Sequence, residues 1–204
     1  MGIPITTIFL LGDSILYNNP YVPPNKSVSD ILKYKMNNYN KHNTIKLYCL
    51  AEDNATIYDI YNQLSQIDIS FNTETTIFYI SVGGNDILKF YDIKNKNLNN
   101  IDVIFNVYTN LIKTIQTKFP FIQVKLLNIY YPLSEQYINN YWDAIKKWNT
   151  LIYNHYGYKK INQIKVLDIS NIITSPSDFT QNIELSITGG EKIANNMLMQ
   201  FITN

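Results

Sequence analysis

The feature that most constrains this chain is an alternation of two patterns. Short apolar runs rich in β-branched residues take turns with longer segments whose apolar residues recur every three or four positions. Thr6-Thr7-Ile8-Phe9-Leu10-Leu11 is the first such run. It lacks in-out polar alternation, which predicts a strand buried on both faces. Further strands are predicted over 45–50, 75–82, 121–129 and 164–169. A helix over 28–38 can be capped by Ser27. Over 55–67, Ile57, Ile60, Tyr61 and Leu64 give the i, i+3, i+4, i+7 spacing of an amphipathic helix. Helices are also predicted over 101–119, stopped before Pro120, over 135–156 with Gly157 as its C-cap, and over 188–201. Residues 92–100, rich in Lys and Asn, read as a solvated loop. Five strands each followed by a helix imply a three-layer α/β/α architecture around a five-stranded parallel sheet. Right-handed crossovers make the strand order 2-1-3-4-5 the expected one. No repeat or linker interrupts it, so residues 1–204 are expected to form a single domain.

Composition excludes several function classes. The 204 residues carry a formal net charge of +1, so there is no general attraction to nucleic acid or anionic membranes. No apolar run reaches the roughly 18 residues a membrane-spanning helix needs. One cysteine, Cys49, excludes an internal disulfide and a cysteine-based zinc site. Two histidines, His42 and His155, leave little for metal ligation, and no metal or cofactor is expected. The apolar stretch 3–11 has no basic residue before it and runs into Gly12-Asp13-Ser14 rather than a small-residue cleavage site. It reads as a strand rather than a signal peptide, so a cytoplasmic protein is expected.

In sheets of this kind the binding crevice lies beyond the carboxyl ends of the strands. That rule places Ser14, Asn54, Asn85, Tyr130 and the loop before Thr188 on one rim. Gly12-Asp13-Ser14 directly follows the first strand. A serine on such a turn can serve as a nucleophile, or simply as a capping residue. Gly83-Gly84-Asn85-Asp86 follows the third. The glycine pair allows a sharp turn and close approach, and the Asn85 amide could donate to an oxyanion. An ordinary turn would use the same residue types. A nucleotide site is disfavoured, because no glycine-rich phosphate loop is present.

These motifs resemble the SGNH (GDSL) hydrolase superfamily of esterases, lipases and acetylxylan-type deacetylases. Leu11-Gly12-Asp13-Ser14 matches its nucleophile block and Gly83-Gly84-Asn85-Asp86 its G-x-N-D block. A subgroup likeness extends to Asn18, Asp178-Phe179, Ile183-Glu184, Ser186, Gly189, Gly190 and Lys192. The resemblance implies a flavodoxin-like fold, Ser14 as nucleophile and Asn85 as oxyanion donor. It places Asn54 where the second block carries a glycine whose N–H completes the oxyanion hole; Asn tolerates left-handed turns, so that donor survives the change. It further implies a small ester or an acylated sugar or lipid as substrate, contacted by Asp13, Gly84, Tyr130 and Asp178.

The last block departs from the family. Members carry D-x-x-H before the final helix; here Gln181 and Glu184 stand at those positions. Removing the base from a Ser-His-acid unit costs about 10⁶-fold, near 8 kcal/mol. A carboxylate of ordinary pKa near 4.3 is a weaker base than imidazole, and burial can raise it toward ~6–7. Two readings stand. In one, Ser14 works with Glu184 as an unconventional base. In the other, the chain is an inactive relative whose crevice binds a ligand or protein partner.

Overall fold

The computed structural model describes residues 5–39, 45–157 and 163–202. Its sheet contains β1 (Thr6–Gly12), β2 (Ile45–Cys49), β3 (Thr76–Ser81), β4 (Gln123–Leu127) and β5 (Ile164–Leu167), in the order β2-β1-β3-β4-β5. All four pairings are parallel, in the expected order. The helices are α1 (Val28–Tyr39), α2 (Asp59–Ser65), α3 (Gly84–Phe90), α4 (Asn99–Lys118), α5 (Glu135–Ile152) and α6 (Ile187–Ile202). A small antiparallel hairpin, β6 (Phe179–Thr180) with β7 (Glu184–Leu185), precedes α6.

The strand pleat explains the continuous apolar runs. Phe9, Leu11, Phe78 and Ile80 enter the core shared with α2, α4 and α5. Ile8, Leu10, Ile77 and Tyr79 enter the one shared with α1 and α6. Both faces are covered, so neither set can be polar. Ser27 behaves as the expected cap: its hydroxyl accepts from the Asp30 N–H at 3.2 Å.

Three features depart from the expected elements. α3 begins at the second glycine of the pair, a helix that was not anticipated. The fifth helix passes into a π-turn over Tyr153–Gly157. The β6–β7 hairpin was not anticipated, because two-residue strands carry no periodicity. His155 is exposed and packs against the Phe105 and Tyr156 rings, with centroids 5.2 and 5.8 Å away. His42 lies outside the described residues.

Candidate active site

The first wall grows from the end of β1. Gly12 pairs with Ser81 of β3 and has φ of 140°. A Cβ there would sit 1.9 Å from the Ser81 carbonyl oxygen, so the close strand approach requires glycine. The buried Gln63 amide of α2 grips this peptide from the other side. It accepts the Gly12 N–H at 2.8 Å and donates to the Gly12 carbonyl at 3.0 Å. The Asp13 carbonyl then accepts from the Leu16 and Tyr17 N–H groups. This single helical turn leaves Ser14 half-buried at the rim, and α1 begins only at Val28. The buried Asp13 carboxyl accepts from the Ile15 N–H at 3.1 Å and the Ser81 hydroxyl at 3.0 Å. Burial pushes its pKa up to about 7 against these two bonds, and the charges of Glu184 and Asp86 add to the rise.

The second wall is the start of α3. Gly83 has φ of 114°, and a Cβ on it would lie 2.2 Å from the Trp148 ring. Asn85 and Asp86 occupy the first turn and hold the loop after β2. Asn85 Nδ2 donates to the Ala55 carbonyl at 3.0 Å. The buried Asp86 carboxyl accepts from the Ile57 N–H at 3.1 Å, and burial raises its pKa to about 6. Asn54 sits in the left-handed region with φ of 60°. It is exposed, and its side chain donates to Asp53 at 2.9 Å.

The third element is the β6–β7 hairpin. Gln181 and Asn182 turn it with φ of 45° and 69°, which brings Glu184 into the crevice lined by Ser14. Glu184 Oε2 is buried without a partner among the described residues. Burial raises the Glu184 pKa, the nearby Ser14 side chain opposes the rise, and the Asp53 charge adds to it. Asp53 also accepts from the Tyr21 hydroxyl at 3.0 and 3.1 Å.

Ser14, Asp13, Gly84, Asn85, Tyr130 and Glu184 thus line one crevice. Its volume is about 550 Å³ including the open mouth, and its far wall is apolar: Ile87, Leu88, Ile129, Tyr137, Tyr141 and Ile145. No lysine or arginine lines it among the described residues. The side chains of Asn54 and Asp178 do not line it. For Asp178, expected to touch substrate, this is a correction. Its carboxyl is wholly buried, lies 2.8 Å from Lys192 Nζ and accepts from the Thr174 and Ser175 N–H groups at 3.0 Å. It organises the approach to the hairpin. Trp148 packs under Gly83, and Asn149 pairs with both backbone groups of Ile129 at 2.9 and 2.7 Å.

Sequence reasoning missed Gln63, Tyr21, Asp53 and the α5 tyrosines Tyr137 and Tyr141. Gln63 sits on a helix among other polar residues, and only its burial singles it out. The α5 tyrosines were hidden among 17 in the chain. Among the described residues no group of His, Cys, Asp and Glu side chains is arranged to hold a metal ion. No helix among them is long and apolar enough to cross a membrane.

Comparison with known proteins bears on the family and the fold. The family model for GDSL-like lipase/acylhydrolase matches residues 8–196. A lipase from a goat rumen metagenome superposes with a TM-score of 0.72 at 19% identity, covering 95% of this chain and 96% of its own. A member of the lipolytic G-D-S-L family from Veillonella parvula gives 0.73 at 18%, covering 97% and 98%. The family 3 carbohydrate esterase of Clostridium thermocellum gives 0.69 at 20%, covering 96% and 94%. No curated protein sequence matches the chain. At these identities the structures speak for the fold, and the family match speaks for descent: the chain belongs to the GDSL-like lipase/acylhydrolase family.

Proposed function

We propose that this protein is a serine esterase that cleaves a small, uncharged ester or O-acyl group, with Ser14 as nucleophile and Glu184 as its base. The observation that carries this reading is that Ser14, Asn85 and Glu184 line one crevice, with the Ser14 side chain near enough to the Glu184 carboxyl to oppose the rise of its pKa. Ser14 Oγ attacks the ester carbonyl while its proton passes to Glu184. The carbonyl π-electrons move onto oxygen, and the oxyanion is held by Asn85 and the Ser14 N–H. One hydrogen of the Asn85 amide is fixed on the Ala55 carbonyl, which orients the second toward the ligand. Collapse expels the alcohol, which takes the proton from Glu184. A water molecule then adds to the acyl-enzyme by the same route in reverse and releases the acid. The apolar wall suits an apolar acyl chain. The crevice's lack of cations, together with Asp13 and Glu184 in its lining, disfavours an anionic one.

Burial serves this chemistry. A carboxylate whose pKa is lifted toward neutrality is a better proton acceptor, provided it is ionised. Turnover is therefore expected to rise with pH as Glu184 loses its proton. The competing reading, a crevice that binds without catalysis, is favoured by one observation: no histidine lines the crevice among the described residues. Labelling with a fluorophosphonate decides between them. Ser14-dependent labelling that disappears in Ser14→Ala, and that falls by ~10²-fold or more in Glu184→Gln, supports the esterase. Equal absence of labelling in wild type and Ser14→Ala supports the binding crevice.

A further inference from the structure

Glu184 sits on an element that has little means of holding itself. The β6–β7 ladder consists of two residue pairs, Phe179 with Leu185 and Thr180 with Glu184. A hairpin so short is not stable alone. A glutamate also has one more side-chain torsion than the histidine it replaces, so its carboxyl is harder to place from a mobile backbone. Yet that carboxyl lines the crevice with Ser14 and buries its Oε2. The buried Leu185 side chain anchors the hairpin in the core, and groups outside the hairpin hold the backbone on either side of Glu184.

Two side chains from the rim do so, one on either side. The Tyr130 hydroxyl, from the loop after β4, donates to the carbonyl of Ile183 at 2.6 Å. Asn18 Nδ2, from the loop after Ser14, donates to the carbonyl of Leu185 at 3.2 Å. Residues 183 and 185 are the immediate neighbours of Glu184. Asn18 is fully buried and is itself anchored: its Oδ1 accepts from the Val28 N–H, the start of α1, at 2.8 Å. The Tyr130 ring is braced edge-on against Phe179 in the opposite strand, centroids 5.5 Å apart. Burial and then the Glu184 charge hold the Tyr130 hydroxyl well above its ordinary pKa, so it stays a donor across the working pH range.

We infer that Tyr130 and Asn18 are a pair of positioning residues that bracket Glu184 and set its carboxyl over Ser14. The inference rests on the proposed role of Glu184, but it makes a separate claim about which groups place it. Each bracket reaches the hairpin from a different strand end, so the register between nucleophile turn and hairpin is set by two independent points. Neither residue touches the reacting atoms in this role.

The test follows the Glu184 carboxyl directly, by its ¹³C chemical shift against pH, in wild type, Tyr130→Phe and Asn18→Ala. Tyr130→Phe removes only the hydroxyl and keeps the crevice wall. Asn18→Ala removes the donor to Leu185 without adding a charge near Glu184. Asp13, Asp53 and Tyr21 also face Glu184 electrostatically, so their resonances are followed alongside. The expected result is that the Glu184 midpoint falls toward the ordinary glutamate range in Tyr130→Phe, as the carboxyl gains solvent. The same fall is expected in Asn18→Ala. Where wild type hydrolyses a p-nitrophenyl ester, kcat is expected to drop about 10- to 100-fold with KM within about twofold, as for a displacement near 1 Å. A merely structural role would lower the unfolding midpoint and leave the Glu184 titration of the folded protein unmoved; that result in both variants overturns the inference. Absence of hydrolysis and labelling in wild type would refute the esterase reading alone, because the titration arm still decides the bracket.

Discussion

Asp13 is a buried carboxyl whose protonation is tied to folding. Its pKa rises from the ordinary 3.8 to about 7, a difference of roughly 3 units. At 1.36 kcal/mol per unit this is about 4 kcal/mol. The sign follows from proton counts. Between about pH 4 and 7 the folded protein keeps a proton on Asp13 that the unfolded chain has lost. Stability therefore falls as pH rises through that window, and Asp13 is at its most costly above pH 7. Asp13→Asn removes the ionisation while keeping an oxygen that can accept from Ile15 and Ser81. Urea unfolding of both proteins at pH 4 and pH 8 gives four stabilities. The difference between mutant and wild type is expected to move by about 4 kcal/mol in favour of the mutant from pH 4 to pH 8. Titrations common to both proteins, including those of Glu184 and Asp86, largely cancel in that double difference. A mutant-minus-wild-type difference that is the same at both pH values would show that Asp13 is ionised as readily in the fold as in water.

Two further perturbations probe the walls of the crevice. Gly83→Ala places a methyl 2.2 Å from the Trp148 ring at a φ of 114°, and is expected to cost about 3 kcal/mol or more by urea unfolding; a loss below ~1 kcal/mol would mean that the Trp148 contact yields easily. Gln63→Leu strands the buried N–H of Gly12, at about 1–3 kcal/mol, while the Gly12 carbonyl keeps its bond from the Glu52 N–H. Fast amide exchange at Gly12 in that variant, against slow exchange in wild type, would report the lost grip, and unchanged exchange would refute it.

The layers of this protein were legible in its sequence because a strand covered on both faces has no choice but to be apolar throughout. Residues 6–11 and 75–82 therefore identified β1 and β3, and Ile57, Ile60 and Leu64 identified the buried stripe of the second helix. The parallel order followed from the strand-helix alternation, and the rim carrying Ser14 and Asn85 followed from the order. Boundaries were less legible. α2 is shorter than its apolar period, and α3 starts immediately after Gly83 because its first-turn residues Asn85 and Asp86 are satisfied by the 55–57 loop, a partner distant in sequence. The hairpin bearing Glu184 left no periodic trace, since its strands are two residues long and its contacts with Tyr130 and Asn18 come from distant parts of the chain. The same holds for Gln63, a polar residue in a polar stretch until β1 is laid against it. Local pattern specifies which surfaces must be hidden. Which buried polar group meets which depends on contacts dozens of residues apart, and those exist only once the chain has folded.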